Sequence, residues 1–282
     1  MYPRSFEYVA AESIDEAVSA LSSSEFGKVM SGGMSLIPMM KLRLLSPDTV
    51  IDIGGVSGLD QITEHDDHTS IGGLVPHKDT AESDLVPQAL KQAASWTGDP
   101  QVRNRGTTCG AIAHADLAAD QTAAILALGA TMVVQGPSGT REVAADDWFV
   151  DTMMSALEPD EILTEIKIPK RAGGTAYDKL GRRGGHTDYA VAGVAAWVAR
   201  DNGTISDCRL AVTGVGSKPT LASEAADALI GTDGSESVLA DAASRASAEV
   251  SALEDLYGSE EYKTHLTGVF VKRAVSQALG AQ

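Results

Sequence analysis

Cysteine is nearly absent. The 282 residues contain two, Cys109 and Cys208, far apart and in no C-x-x-C arrangement. That excludes a disulfide scaffold, and it excludes an iron–sulfur cluster ligated by four thiolates of this chain alone. A reducing, cytoplasmic compartment is the simplest expectation. Basic charge is scarce as well: 22 Lys and Arg stand against 39 Asp and Glu, a formal net charge of -17. Coulomb repulsion counts such a chain out as a nonspecific binder of nucleic acid or anionic membrane. No run reaches the roughly 18 apolar residues of a membrane-spanning helix, and Met1–Glu7 lacks the apolar core of a signal peptide. Hydrophobic residues nonetheless make up 43 %, enough for a real core, and the length allows one large domain or two ordinary ones.

The pattern along the chain predicts alternating strands and helices. Phe6–Val9 reads as extended. Ser13 and Glu16 form a capping box for a helix with Ile14, Ala17, Val18 and Leu21 on one side. Lys28–Met30 is a short strand, Leu36–Leu44 a helix with Pro38 in its first turn, and Thr49–Ile53 a strand. A second lobe follows with a strand at Thr69–Val75 and a helix at Leu85–Trp96. The segment Gly98–Asp120 is too polar and glycine-dotted for one regular element, and long loops tend to be functional. Asp120 fits an N-cap for a helix Gln121–Leu128, with Gly129 at its C′ position. Strands at Thr131–Gln135 and Glu161–Ile168 complete the lobe. The composition changes at Lys170–Gly174, which reads as a domain boundary. Beyond it come strands at Thr175–Leu180, Ala190–Arg200 and Thr204–Gly214, the last two joined by the turn Asp201-Asn202-Gly203. Helices Ala222–Ile230, Val238–Leu256 and Glu261–Leu279 end the chain.

Two loops combine bare backbone with hydroxyls, which is what close approach to phosphate oxygens needs. The first is Ser31-Gly32-Gly33-Met34-Ser35. It matches neither the dinucleotide fingerprint G-x-G-x-x-G nor the G-x-x-x-x-G-K-S/T loop. Its glycines still let N–H groups converge on an anion, Ser31 and Ser35 add donors, and the following helix offers its positive end. A tight turn between strand and helix explains the same residues. The second loop carries Thr107, Thr108, Cys109, Gly110 and Ala111, with Arg103 and Arg105 nearby as phosphate partners or as surface ion pairs.

Other candidates have ordinary explanations beside them. Asp120 is a helix cap or a ribose ligand. His114 and Asp116 lack further ligands at metal spacing. His65 and His68 read as a solvated hairpin turn. His77 lines a pocket or a surface loop. Cys109 reads as a small buried thiol or a cofactor contact. The acidic groups Asp146-Asp147 and Glu158–Glu161 read as solvated turns.

The run Ser31–Leu44 resembles A-G-G-x-S-L-I/L-P-x-M-K-x-R, and Gly98–Ala111 resembles D-P-Q-I/V-R-N-x-G-T-I-G-G-N/S. His114–Asp116 and Ala119-Asp120 continue in register with A-H-A-D-P-A-x-D. These are motifs of the FAD-binding medium subunits of molybdenum-containing hydroxylases, the carbon monoxide dehydrogenase and xanthine dehydrogenase group. The resemblance covers the whole chain. It implies an α+β fold: a two-lobed, p-cresol methylhydroxylase-like FAD-binding domain over residues 1–172, with lobes of about 1–55 and 56–172. A C-terminal domain over 173–282 with a three-stranded antiparallel sheet and helices follows. Carried over by position, Ser31, Gly32, Gly33, Met34 and Ser35 cradle the FAD pyrophosphate, and Thr107, Thr108, Cys109, Gly110 and Ala111 complete the cradle. Asp120 binds in the ribose–adenine region, Leu163 and Lys179 touch the cofactor, and Tyr189 lies near the flavin ring. Departures include Ser31 for Ala, Met34 for His or Gln, and Thr108-Cys109-Gly110-Ala111 for Ile-Gly-Gly-Asn/Ser. The missing glycine at Cys109 bears on close backbone approach unless its φ is negative.

The implied function is electron transfer within an oxidoreductase. A large subunit with the molybdenum cofactor oxidises the substrate. Electrons cross two 2Fe–2S clusters of a small subunit to FAD here, then pass to an external acceptor. The implied assembly is a dimer of large–medium–small heterotrimers. The alternatives are a self-sufficient FAD oxidase binding its own substrate, and a structural subunit with an empty pocket. The substrate stays open among carbon monoxide, an aldehyde, a purine and an N-heteroaromatic.

Overall fold

A computed structural model describes residues 1–185 and 187–280. The first stretch is a parallel three-stranded sheet. It runs β1 (Glu7–Ala10), α1 (Ile14–Ser23), β2 (Gly27–Met30), α2 (Leu36–Leu42) and β3 (Thr49–Asp52), with β3 central. Parallel pairing needs a crossover, and each helix supplies one. The Ser13 hydroxyl accepts from the Glu16 N–H at 3.2 Å, as the sequence implies. The Glu16 carboxylate reaches back one residue further than a standard capping box, to the Glu12 N–H at 2.8 Å. Ala17, Val18 and Leu21 bury against Ile51 and Ile53. Helix α2 ends two residues earlier than expected because Arg43 turns to φ 60.

The next stretch builds a five-stranded antiparallel sheet. Its elements are β4 (Ile62–Glu64), β5 (His68–Gly72), α3 (His77–Glu82), α4 (Gln88–Ser95), α5 (Pro100–Arg105), α6 (Thr108–His114), α7 (Asp120–Leu128), β6 (Thr131–Gly136), β7 (Gly139–Ala144), α8 (Ala145–Trp148), β8 (Phe149–Asp151), β9 (Met154–Ser155) and β10 (Ile162–Pro169). The strand order is β4-β5-β10-β6-β7, with β8 and β9 paired apart. Helix α4 starts three residues later than the pattern suggested, after Pro87, and Leu85 is left exposed. The expected long loop holds two short helices instead. Asp99 caps α5 with Pro100 at the first position, and Thr107 caps α6. Each is too short to show a 3.6-residue period.

Every residue of α7 is buried. A helix buried all round needs cover on all sides, and a third sheet supplies the rest. That sheet holds β11 (Gly174–Gly181), β12 (Ala190–Asp201), β13 (Thr204–Thr213) and β14 (Thr220–Leu221) in antiparallel sequence. Helices α9 (Ser223–Leu229), α10 (Glu236–Glu249) and α11 (Glu260–Gly280) close the chain. The two-residue β14 is a fourth strand that the resemblance did not imply. Asn202 and Gly203 take φ 50 and 85, the double positive φ of the expected hairpin turn. Along β12, Ala192, Val194, Ala196 and Val198 belong to the core closed by α11, while Ala195 on the other face joins the α7 core. Burial on both faces from Ala190 to Val198 explains why this stretch is apolar and mostly Ala and Val. Helix α10 stops at Glu249, seven residues short of expectation, and 250–259 forms an irregular connection. Among the described residues no helix is long and apolar enough to cross a membrane.

Candidate functional site

The two glycine-bearing loops, distant in sequence, touch. Ser31–Ser35 links β2 to α2 at the end of the parallel sheet. The Ser31 hydroxyl donates to the Gly73 carbonyl at 3.0 Å and lies 2.9 Å from the Thr107 hydroxyl. Thr107 Oγ1 in turn accepts from the Gly110 N–H at 3.1 Å. At Gly32 the backbone of one loop packs against that of the other. A Cβ there would overlap the Arg105 carbonyl and lie 2.8 Å from Gly106 Cα, so only glycine fits. Gly33 has φ 72, again a glycine conformation. The second loop is anchored by His77 N–H to the Gly106 carbonyl (2.9 Å) and Thr108 N–H to the Val75 carbonyl (3.1 Å). The backbone N–H groups of Gly32, Gly33, Met34, Ser35 and Leu36, and that of Cys109, meet no protein acceptor among the described residues. A row of donors left open in this way is an anion-binding arrangement.

Not every side chain of these loops faces outward. Thr108 is buried, with its hydroxyl 2.7 Å from that of Thr80. Cys109 points its thiol at the carbonyls of Ile71 and Gly72, both at 3.5 Å, and burial holds the thiol protonated. It sits in α6 with negative φ, so a residue other than glycine costs no backbone strain there. Met34 is 36 % exposed. Ala111 lies in α6 with its N–H on the Thr107 carbonyl.

Asp120 is not the N-cap of α7; Ala119 is, and Asp120 occupies the first helical position with its carboxylate turned inward. Its oxygens accept from the Tyr177 hydroxyl and the Lys179 ammonium, both at 2.6 Å. All three are buried. Burial raises the Asp120 carboxyl to about 6, against the pull of Lys179 and Tyr177, and burial lowers the Lys179 ammonium. Lys179 also donates to the Asp188 carbonyl at 2.5 Å, so one ammonium ties α7 to the residue preceding Tyr189. The Tyr189 ring is exposed at the end of the β11–β12 connection. Leu163 is buried, at a bulge of β10, and its carbonyl lies beside Gly73, where a Cβ would come within 3.3 Å. Pattern reasoning passed over Tyr177, which reads as one more apolar strand position until its hydroxyl partner is seen.

His77 is no surface loop residue. It begins α3, is buried, and its Nδ1 lies 2.7 Å from the Gln121 amide nitrogen. Burial, with Arg103 nearby, lowers its pKa to about 4. Arg103 is spent on the carbonyls of Thr97 and Gly98, and Arg105 is exposed with no ion pair among the described residues. His65 and His68 stack in the β4–β5 turn. Asp146 pairs with Arg209 and Glu161 with Arg141, so these two acids are fixed rather than merely solvated. Among the described residues no cluster of His, Cys, Asp and Glu could hold a metal.

Comparison with known proteins agrees with this geometry. Residues 4–171 match the family described as FAD binding domain in molybdopterin dehydrogenase, and residues 175–278 match the CO dehydrogenase flavoprotein C-terminal domain. The nicotine 6-hydroxylase medium subunit of Paenarthrobacter nicotinovorans is 38 % identical, over 96 % of both chains. The carbon monoxide dehydrogenase medium chain of Hydrogenophaga pseudoflava is 39 % identical over 99 % of this chain and 98 % of its own. A solved structure of carbon monoxide dehydrogenase from Hydrogenophaga pseudoflava superposes with a TM-score of 0.95 at 40 % identity, covering 100 % of this chain and 99 % of that one. The loops, the sheets and these relatives make the chain a member of the FAD-binding medium subunits of molybdenum hydroxylases, the family of the carbon monoxide dehydrogenase medium chain.

Proposed function

We propose that this chain holds one FAD between the Ser31–Ser35 loop and the Thr107–Ala111 turn and relays electrons through it. Electrons would arrive from 2Fe–2S clusters of a small partner subunit, fed by a molybdenum centre in a large one, and leave to an external acceptor. Bound FAD supplies a group that takes up electrons singly or in pairs. The assembly would be a cytoplasmic dimer of heterotrimers. Residues 1–172 would form the FAD-binding domain and 173–282 the flavoprotein C-terminal domain. The observation that carries the reading is the row of open N–H donors from Gly32 to Leu36, set against a second hydroxyl- and glycine-bearing turn.

The fit to a pyrophosphate is chemical. The open amides donate to the phosphate oxygens without bringing a full charge, and Ser35, which makes no capping bond, keeps its hydroxyl available. Gly32, Gly33 and Gly110 keep side chains out of the way, and Cys109 would contribute its backbone N–H alone. Thr107 holds the two loops in register. Asp120 would serve the ribose–adenine side with the lone pairs left over from Tyr177 and Lys179. Leu163 would offer backbone beside Gly73, and Tyr189 would lie against the flavin ring. Lys179 would act from behind Asp120 and the Asp188 carbonyl. No side chain here need exchange a proton with the organic substrate.

Rapid mixing of the assembled complex with its substrate tests the relay. The cluster absorbance should bleach before the flavin bands, and the isolated FAD-loaded chain should not bleach with the same substrate. Bleaching of the isolated chain would instead make it a self-sufficient oxidase.

A further inference from the structure

The backbone around Tyr189 is tied down. The Arg182 N–H donates to the Tyr189 carbonyl at 2.9 Å, the Ala190 N–H to the Ala118 carbonyl at 3.0 Å, and Lys179 to the Asp188 carbonyl at 2.5 Å. The ring is held by something else. The guanidinium carbon of Arg182 lies 5.0 Å from the Tyr189 ring centroid and 4.6 Å from that of Tyr257. Arg182 makes no salt bridge among the described residues, and its buried Nε has no hydrogen-bond partner there. Its planar cation lies over two ring faces, with the Asp255 carboxylate near enough to feel its charge, and a lysine ammonium does not match that planar stack.

Tyr257 comes from the 250–259 connection between α10 and α11, which is itself a built turn. The Asp255 N–H donates to the Gly258 carbonyl at 3.1 Å, the Tyr257 N–H to the Asp255 carboxylate at 2.8 Å, and the buried Lys263 pairs with Asp255 at 2.8 Å. The second ring against Arg182 thus rests on a fixed support.

We propose that Arg182, backed by Tyr257, is a positioning residue that fixes the pose of the Tyr189 ring against the flavin. This rests on the flavin reading above. Tyr189 is 43 % exposed, so its ring keeps room for another rotamer. A cation–π contact at such a site shifts a two-state equilibrium about two- to fivefold.

The test is flavin fluorescence of the FAD-loaded chain in its complex, because an aromatic ring stacked on the flavin quenches its emission. Tyr189→Ala sets the unquenched level. Arg182→Met and Arg182→Lys should each lower the ratio of stacked to unstacked flavin about two- to fivefold. Tyr257→Phe, which keeps the ring, should leave emission unchanged, and Tyr257→Leu should mimic Arg182→Met. In a Tyr189→Ala background Arg182→Met should add nothing. Unchanged emission in Arg182→Met, or an equal change with and without Tyr189, overturns the proposal. If the chain carries no FAD, or Tyr189→Ala leaves emission unaltered, the flavin reading itself fails and takes the proposal with it.

Discussion

The hydroxyls of Ser31 and Thr107 lie 2.9 Å apart across 76 residues of chain. This contact joins the two loops, and Thr107 uses the same oxygen to cap α6. Thr107→Ala should cost about 1 kcal/mol through the lost cap alone. Ser31→Ala and Thr107→Ala together should cost less than the sum of the two, with a coupling of about 0.5–1 kcal/mol. Urea unfolding of the two single variants and the double checks this.

Glycine at the loop contact makes a sharper demand. Gly32→Ala sets a methyl against the Arg105 carbonyl, and the loops must part. Gly33→Val places a β-branched residue at φ 72, at a cost of roughly 1–2 kcal/mol. Gly110→Val drives a side chain into the Thr107 hydroxyl, 2.6 Å from the position of its Cβ. Each should lose FAD while far-UV circular dichroism stays close to that of the parent.

The buried pair Asp120–Lys179 should be costly to break and cheaper to remove whole. Lys179→Met leaves a carboxylate buried without its cation, at a cost of about 3–5 kcal/mol. Adding Asp120→Asn, which keeps an acceptor for the Tyr177 hydroxyl, should recover most of that loss. Denaturant midpoints of the single and double variants decide it.

His77 gives a pH signature. Its pKa falls from 6.5 unfolded to about 4 folded, because burial disfavours the imidazolium. The unfolded chain therefore binds more protons between these values. The stability that goes with a neutral His77 is complete above pH 6.5 and is lost as pH falls through 4. Between pH 7.5 and 4.5 this amounts to about 2–3 kcal/mol. His77→Gln should unfold in urea with that much less pH dependence than the parent; an unaltered difference between the two pH values would contradict it.

The sequence was most legible where local chemistry acts alone. The Ser13 cap and the Asn202-Gly203 turn follow from neighbours in the chain, and the structure has them. The two glycine- and hydroxyl-bearing loops stood out in the sequence as well, and the structure brings them into contact. What stayed hidden depends on partners far away. Asp120 looks like a cap from its neighbours, yet Lys179 and Tyr177 claim its oxygens. Cys109 looked like a defect in a glycine turn, yet the turn is helical there and its thiol points at the carbonyls of Ile71 and Gly72. Arg182 carried no motif at all; only the fold brings it between Tyr189 and Tyr257.

The proposed FAD cradle depends on both loops together. Its most direct test is an absorbance titration of the FAD-stripped chain with FAD, run on the parent and on Gly33→Val. One FAD per chain for the parent, and none for a variant that keeps its fold, is the predicted result. Absence of binding in the parent, or full binding in the variant, would contradict the claim.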